Sequence, residues 1–314
     1  MLRKDSAPGI DGQTVAEYGE GLDANLQSLL DRAKSGDYFA QPVKRVHIPK
    51  DISGKETRPI GIPATEDKLL QRAVAMILEP IYEQDFLDCS YGYRPGRSAH
   101  DALDVLWRRC MGLKVQYILE LDIRKFFDTL DRAHLREFLQ YRVRDGVTTR
   151  LIGKWLNAGV MEQGALHLPE HGTPQGGSIS PVLSNIYLHH VLDQWFEDEV
   201  KPRMKGRAFM VRFADDAVLG FTSKEDAEKV LVVLSKRFAR FGLSLHTEKT
   251  RLMPFGRPGK DDRKGPATFD FLGFAHYWGK SWKGNWVIKR KTSRERLNRS
   301  LKRIAKWCRL NRHK

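Results

Sequence analysis

Apolar positions recur at helical spacing over residues 21–35, where Leu22, Leu26, Leu29, Leu30 and Ala33 fall on one face. The same period predicts a helix through "TEDKLLQRAVAMILEPIYEQDF". Its apolar face would be Leu69, Leu70, Ala73, Val74, Ile77 and Leu78, with Pro80 limiting it. Between these helices, "VKRVHIPKDISGKETRPIGIP" alternates strand character with Pro and Gly, the pattern of a hairpin or finger-like loop. The Gly/Pro loop "SYGYRPGRS" leads into a helix over "AHDALDVLWRRC", and "VQYILELDI" reads as a buried strand. After the loop "HGTPQGGSISP" the pattern predicts a helix over "VLSNIYLHHVLDQWF", a strand pair over Val211–Phe221 and a helix over "KEDAEKVLVVLSKRFARFG". Short strands follow around "LSLHTEKTRLM" and "FDFLGFAHYW". Strands and helices alternate without a Rossmann or P-loop glycine signature, which predicts an α+β fold.

Composition narrows the class. The 314 residues are 41% hydrophobic and 30% charged, as in a globular chain of two domains or a core with an appendage. No apolar run has membrane-spanning length, and the N-terminal residues lack the apolar stretch of a secretory signal. Cys89, Cys110 and Cys308 are odd in number and widely spaced, which argues against a disulfide framework and a zinc site. Charge is concentrated at one end. From Lys280 to Lys314 there are fourteen Lys or Arg and one acid, Glu295, so this stretch carries +13 of the net +15. Such an end suits a polyanion, most often nucleic acid, or is a solvated basic tail.

One apolar run is interrupted by acids. "VRFADDAVLGF" places Asp215 and Asp216 side by side between strand-like flanks, where a hairpin turn and a metal site are both open readings. A third carboxylate, Asp122, ends the strand "VQYILELDI", 93 positions earlier. Three acids converging there would repel one another without a counter-charge. Divalent cations supply it, and carboxylate oxygens suit Mg²⁺. Two such ions about 3.5–4 Å apart catalyse in-line phosphoryl displacement.

The surrounding words carry a resemblance. "PGIDG", "RPIGIP", "YGYRPGRSAHDAL", "ELDIRKFFDTLD", "GTPQGGSISPVLSNIYLHHVLD", "RFADDAVLGF", "GLSLHTEKT" and "FLGF" occur in the order seen in bacterial group II intron-encoded reverse transcriptases (maturases). The resemblance implies a right-hand polymerase: fingers over residues 1–118, a palm of antiparallel sheet with packed helices over 119–275, and the start of a basic, incomplete thumb over 276–314. The chain then looks shortened at both ends. Asp122, Asp215 and Asp216 would be catalytic and, with the backbone carbonyl of Ile123, would hold two Mg²⁺ ions, for which Mn²⁺ can substitute.

The same resemblance assigns nucleotide contacts. Arg58 and Lys50 of the fingers hairpin would grip the triphosphate, with Lys55 competing for the place of Lys50 because the "KDISGKE" loop is longer than usual. Phe127, or its neighbour Phe126, matches the bulky gate that excludes a 2′-hydroxyl. Gln175 matches a residue against the nascent base pair, with Gly176 and Gly177 allowing close approach, and Lys249 could approach the triphosphate. Arg94, Arg97, Arg294, Lys302 and Arg303 would contact nucleic acid. Leu297, Leu301, Ile304 and Cys308 form one face of the last helix. Phe213 departs from the family by standing where Tyr is usual.

The implied activity is extension of a primer 3′-OH with dNTPs on an RNA template. The partners would be an RNA template, a DNA or RNA primer, dNTPs and a structured intron RNA, in a ribonucleoprotein of the bacterial cytoplasm and without a membrane. Two alternatives stand beside this reading. One is a domesticated relative in defence or CRISPR spacer acquisition; the other is a non-catalytic RNA-binding splicing factor. No HNH-like His/Cys cluster supports an endonuclease.

Overall fold

The computed structural model describes residues 5–49, 57–168, 171–173, 176–259 and 267–312. Its strands, in chain order, are β1 (Val43–Pro49), β2 (Thr57–Ile62), β3 (Tyr117–Leu121), β4 (Val160–Glu162) and β5 (Ala165–His167). They continue with β6 (Ala208–Phe213), β7 (Asp216–Phe221), β8 (Arg251–Pro254), β9 (Phe269–Phe271), β10 (Phe274–Lys280) and β11 (Trp286–Thr292). The chain forms two compact units that alternate along the sequence. Among the described residues no helix is long and apolar enough to cross a membrane.

The first unit comprises Met1–Pro49, Thr57–Phe86 and Lys125–Tyr187. Its sheet has the order β2-β1-β4-β5, with β1 and β2 antiparallel and β4 joining β1 in parallel. The helix Thr65–Tyr82 runs through Pro80 rather than stopping there. Its buried face is also rotated from the expected one: Asp67, Lys68, Gln71, Val74, Ala75 and Leu78 are buried, whereas Ile77 is 57% exposed. Two polar members of that face, Asp67 and Lys68, have internal partners. Asp67 accepts from the Tyr38 hydroxyl and the Gln41 N–H, and Lys68 donates to the Ala7 carbonyl. Burial of a charged group is tolerable when it is paired in this way.

The second unit is built from Leu87–Arg124 and Leu188–Lys314. Its main sheet, order β6-β7-β3-β8, is antiparallel throughout. Alternation sends Ile118, Val211, Val218 and Met253 to one face, where they meet Leu103 and Leu106 of the helix Ala99–Gly112. The second sheet, β11-β10-β9, closes the same core with Phe269, Phe271, Trp278, Trp286 and Ile288. The alternate face carries Leu119, Leu219 and Ala217, and the helix Lys224–Arg240 packs against β3, β7 and β8. Both faces are thus covered, which is why β3 and β7 read as continuous apolar runs. The helix Arg294–Asn311 buries none of its residues, and its Leu297, Leu301, Ile304 and Trp307 are exposed.

Candidate active site

The face of β3 that begins in the core ends in acids. Ile118, Glu120 and Asp122 alternate onto it, and each is a step further from the apolar interior. Glu120, still buried, accepts from Arg251 Nε at 2.9 Å and from the Asp270 N–H at 2.5 Å. Burial raises its pKa despite these bonds. The register Leu121↔Ala217 between β3 and β7, carried one residue further, sets Asp122 opposite Asp216. Directly opposed residues share a face with Cβ atoms about 4.5–5.5 Å apart. Both aspartates line an open cleft of about 510 Å³ in this unit, together with Glu248, Lys249, Asp270 and Gly273.

The segment after Leu243 holds Asp122 in position. His246 N–H donates to the Asp122 carbonyl at 2.9 Å and Arg124 N–H to the Ser244 carbonyl at 2.9 Å. These bonds flank the bridge Ile123↔Leu245, so Ile123 occupies a non-hydrogen-bonded position and its own carbonyl turns away from Leu245. The turn "HTEKT" then returns Lys249, whose Nζ stands 3.4 Å from Asp122 Oδ2. Lys249 therefore joins the cleft as the ion-pair partner of Asp122, with 62% of its side chain exposed.

Asp215 occupies the turn between β6 and β7. Phe213 pairs with Asp216, leaving Ala214 and Asp215 as a two-residue turn, and Ala214 has φ +56. Positive φ at the first turn residue is the II′ arrangement, which matches the twist of a hairpin and usually falls to Gly. Alanine held there costs on the order of 1–2 kcal/mol, so the surroundings must impose the conformation. Arg212 does so from inside: it is fully buried, and its Nη1 donates to the Ala214 carbonyl at 2.8 Å. Its Nε and Nη2 meet Asp193 Oδ1 and Oδ2 at 2.7 and 2.5 Å. Desolvation opposes the Arg212 charge, but Asp193, with Asp215 adding to it, leaves the guanidinium pKa raised. Asp193 reaches this place from the π-helical turns His189–Asp193 that continue the helix Ser180–Leu188.

The loop "SYGY" supports the same turn from the sheet edge. Arg212 N–H donates to the Cys89 carbonyl and Tyr91 N–H to the Arg212 carbonyl, at 2.7 and 2.8 Å. Gly92 then lies so close that a Cβ there would stand 2.2 Å from Ala214 N. Phe213 is half-buried and packs on the core cluster, a role that needs no phenol.

The other sequence candidates are placed as follows. Arg94 is buried, its Nη1 donating to the Leu87 and Ser90 carbonyls at 2.6 and 2.8 Å, so this guanidinium serves the loop from within. Arg97 pairs with Asp88 at 2.7 Å and lies over the Tyr91 ring. Arg294, Lys302 and Arg303 are exposed on the last helix. In the first unit Arg58 is exposed on β2, Phe126 is core at 2% exposure, and Phe127 beside it is half-buried. Gly176, with φ +117, approaches the Gly61 carbonyl so closely that a Cβ would stand 2.3 Å from it. Lys50, Lys55 and Gln175 lie outside the described residues. The pair Arg212 and Asp193 was missed by sequence reasoning. The available signal was an arginine inside an otherwise apolar strand, joined to an aspartate inside an apolar helix.

The donors in the cleft are carboxylate oxygens, the chemistry a hard cation such as Mg²⁺ requires. Among the described residues no three His, Cys, Asp or Glu side chains stand as one ligand group. Asp122 and Asp216 line the cleft, whereas Asp215, in the turn between β6 and β7, is not among its lining residues. The oxygen donors present suit the ion.

Residues 48–276 match the family model for reverse transcriptase (RNA-dependent DNA polymerase). The group II intron-encoded protein LtrA of Lactococcus lactis subsp. cremoris is 41% identical over 186 residues, 59% of this chain and 30% of that protein. Protein YkfC of Escherichia coli K12 is 38% identical over 194 residues, 61% of this chain and 50% of that one. The chain thus spans half or less of the length of these curated relatives. Among solved structures, telomerase from Candida albicans in complex with a fragment of telomeric RNA superposes with a TM-score of 0.59 at 16% identity. The match covers 95% of this chain and 54% of that one. Apo telomerase from Candida tropicalis gives 0.57 at 15% identity, covering 87% and 60%. At such identity the likeness bears on fold alone, and that fold is the right-hand polymerase with antiparallel sheets. The chain belongs to the reverse transcriptase family, in its group II intron-encoded (maturase) branch.

Proposed function

We propose that this chain is an RNA-directed DNA polymerase that extends a primer 3′-hydroxyl with dNTPs and releases pyrophosphate. The observation that carries this reading is the cleft lined by both Asp122 and Asp216, beside the turn that holds Asp215. A splicing factor that only binds RNA gains nothing from Asp122 and Asp216 lining one cleft, since carboxylates repel phosphate and one another. Asp122, Asp215 and Asp216, with the Ile123 carbonyl, would hold two Mg²⁺ ions. Bound there, the ions would activate the attacking oxygen and stabilise the leaving one. Lys249, the ion-pair partner of Asp122, would offer its ammonium to the triphosphate when that pair opens. Arg58, with Lys50, would grip the triphosphate, Arg being suited to bidentate phosphate contact. Phe127 would gate the sugar and Gln175 would lie against the new base pair. Arg97, Arg294, Lys302 and Arg303 would follow the template–primer backbone. The native partner would be a structured intron RNA in a cytoplasmic ribonucleoprotein, with residues 1–118, 119–275 and 276–314 as fingers, palm and thumb.

Primer extension on RNA and DNA templates with Mg²⁺ tests the proposal. Wild type should incorporate dNTPs. Asp122→Asn and Asp215→Asn should each lose more than about a hundredfold, because even outer partners of metal ligands are worth 10–100-fold. Tight primer–template binding by wild type without any dNTP incorporation would leave only the RNA-binding reading.

A further inference from the structure

Strands β10 and β11 form a ribbon whose sequence, Phe274 to Thr292, holds five Lys or Arg and no acid. One face of the ribbon is core, through Trp278, Trp286 and Ile288. The register Ala275↔Lys291, Tyr277↔Lys289 and Gly279↔Val287 puts Tyr277, Lys289 and Lys291 on the opposite, outward face. Lys291 Nζ lies 5.1 Å from the Tyr277 ring centroid, and the Lys289 stem crosses Gly279.

At the tip stands Trp282, 108% exposed, with Lys283 beside it. A tryptophan this exposed adds no packing to the fold. Yet the turn that carries it is fixed: Ser281 N–H donates to the Asn285 carbonyl at 2.8 Å and Gly284 N–H to the Ser281 carbonyl at 3.0 Å. Asn285 N–H adds a bond to Ser281 Oγ at 3.2 Å. A rigid turn presenting a bare indole among lysines has the two parts of a single-strand binding surface, a stacking platform and a cationic track. The ring faces of bases in a duplex are covered by their neighbours, so such a tip selects unpaired bases.

We propose that the outward face and tip of this ribbon bind single-stranded nucleic acid, Trp282 stacking on a base while Lys283, Lys289 and Lys291 take phosphates. The site is separate from the carboxylate cleft. That cleft is lined by Leu272 and Gly273 at the near end of β10, and the seven residues of the strand carry the tip about 20 Å away. The proposal rests on the ribbon alone and stands whether or not the chain polymerises.

Fluorescence anisotropy with labelled single-stranded RNA, single-stranded DNA and a blunt duplex tests it. Trp282→Ala should weaken one or both single strands about tenfold and leave the duplex unchanged, with Trp282→Phe retaining most of the affinity. Which single strand responds identifies the natural polymer. Joint replacement of Lys283, Lys289 and Lys291 by Ala should reduce the log–log salt slope for single strands by about 2. Single-strand affinity unchanged in Trp282→Ala overturns the proposal. So does Trp282-dependent binding to phosphatidylserine vesicles with single-strand affinity unaltered, which would make the tip a membrane contact. Because Trp282 makes no packing contact, its variants should melt as wild type does, and a fold defect is separable from a binding defect.

Discussion

Arg212 and Asp193 are both fully buried, and their pairing does more than neutralise two charges. Arg212 also reaches the Ala214 carbonyl, so its removal frees the turn that carries Asp215. Asp193→Ala alone leaves the guanidinium buried without its partner and should cost about 3–5 kcal/mol of stability. Replacing both residues together, Asp193→Ala with Arg212→Met, removes the stranded charge and should restore most of that stability. It does not restore the bond to Ala214. The double variant is therefore expected to melt close to wild type and bind primer–template normally, while nucleotide incorporation falls about tenfold or more, the worth of roughly one lost charge-assisted hydrogen bond. Thermal melting, binding and single-turnover incorporation on the same preparation check this, and full incorporation by the double variant would reduce the pair to a structural role.

The hairpin of β6 and β7 is also shaped from outside, by the loop holding Gly92. Any Cβ there meets backbone, Ala214 N at 2.2 Å and the Phe213 carbonyl carbon at 2.9 Å, and backbone cannot rotate aside. Gly92→Ala should therefore cost about 1–3 kcal/mol and lower incorporation with it. Gly112→Ala, with nothing within 4 Å of its added Cβ, should do neither. Denaturant titration of the two variants makes the comparison, and equal stability would mean the loop moves freely off the hairpin. How far these elements could be read in advance depended on polarity. The positions of Asp122 at a strand end and of Asp215 and Asp216 at a hairpin turn were legible because acids interrupt apolar strands. Arg212 and Asp193 were not, since period-2 and helical patterns treat a charge as a solvent position. The same convention misread the helix Thr65–Tyr82, where Asp67, Lys68 and Gln71 turn inward and Ile77 turns out.

The alternation of the two units along the chain was equally hidden, because segments on either side of residue 118 contribute to both. Their buried ionisable groups give them opposite responses to acid. In the first unit, burial outweighs the bonds from Tyr38 and Gln41 and pushes the Asp67 carboxyl up to about 6. Its unfolded value is about 4, so between about pH 4 and 6 the native unit holds more protons than the unfolded chain. Stability from this group is greatest at low pH and falls as pH rises through that window. In the second unit, burial first and then the nearby Arg290 hold the His276 imidazole down at about 4, against an unfolded value of about 6.5. Here the unfolded chain binds more protons, so stability is complete above about pH 6.5 and is lost as pH falls toward 4, by on the order of 3 kcal/mol at most. His276 is fully buried and stacked on Phe269 at 4.8 Å, so His276→Phe keeps a ring in place while removing the titration. Hydrogen exchange followed by mass spectrometry resolves the two units separately. Between pH 4.5 and 6.5, His276→Phe should flatten the acid-induced opening of the second unit and leave the first unchanged, whereas Asp67→Asn should alter the slope of the first unit alone and in the opposite sense. Slopes that shift together in both units would show that the units unfold as one and that neither group governs its own.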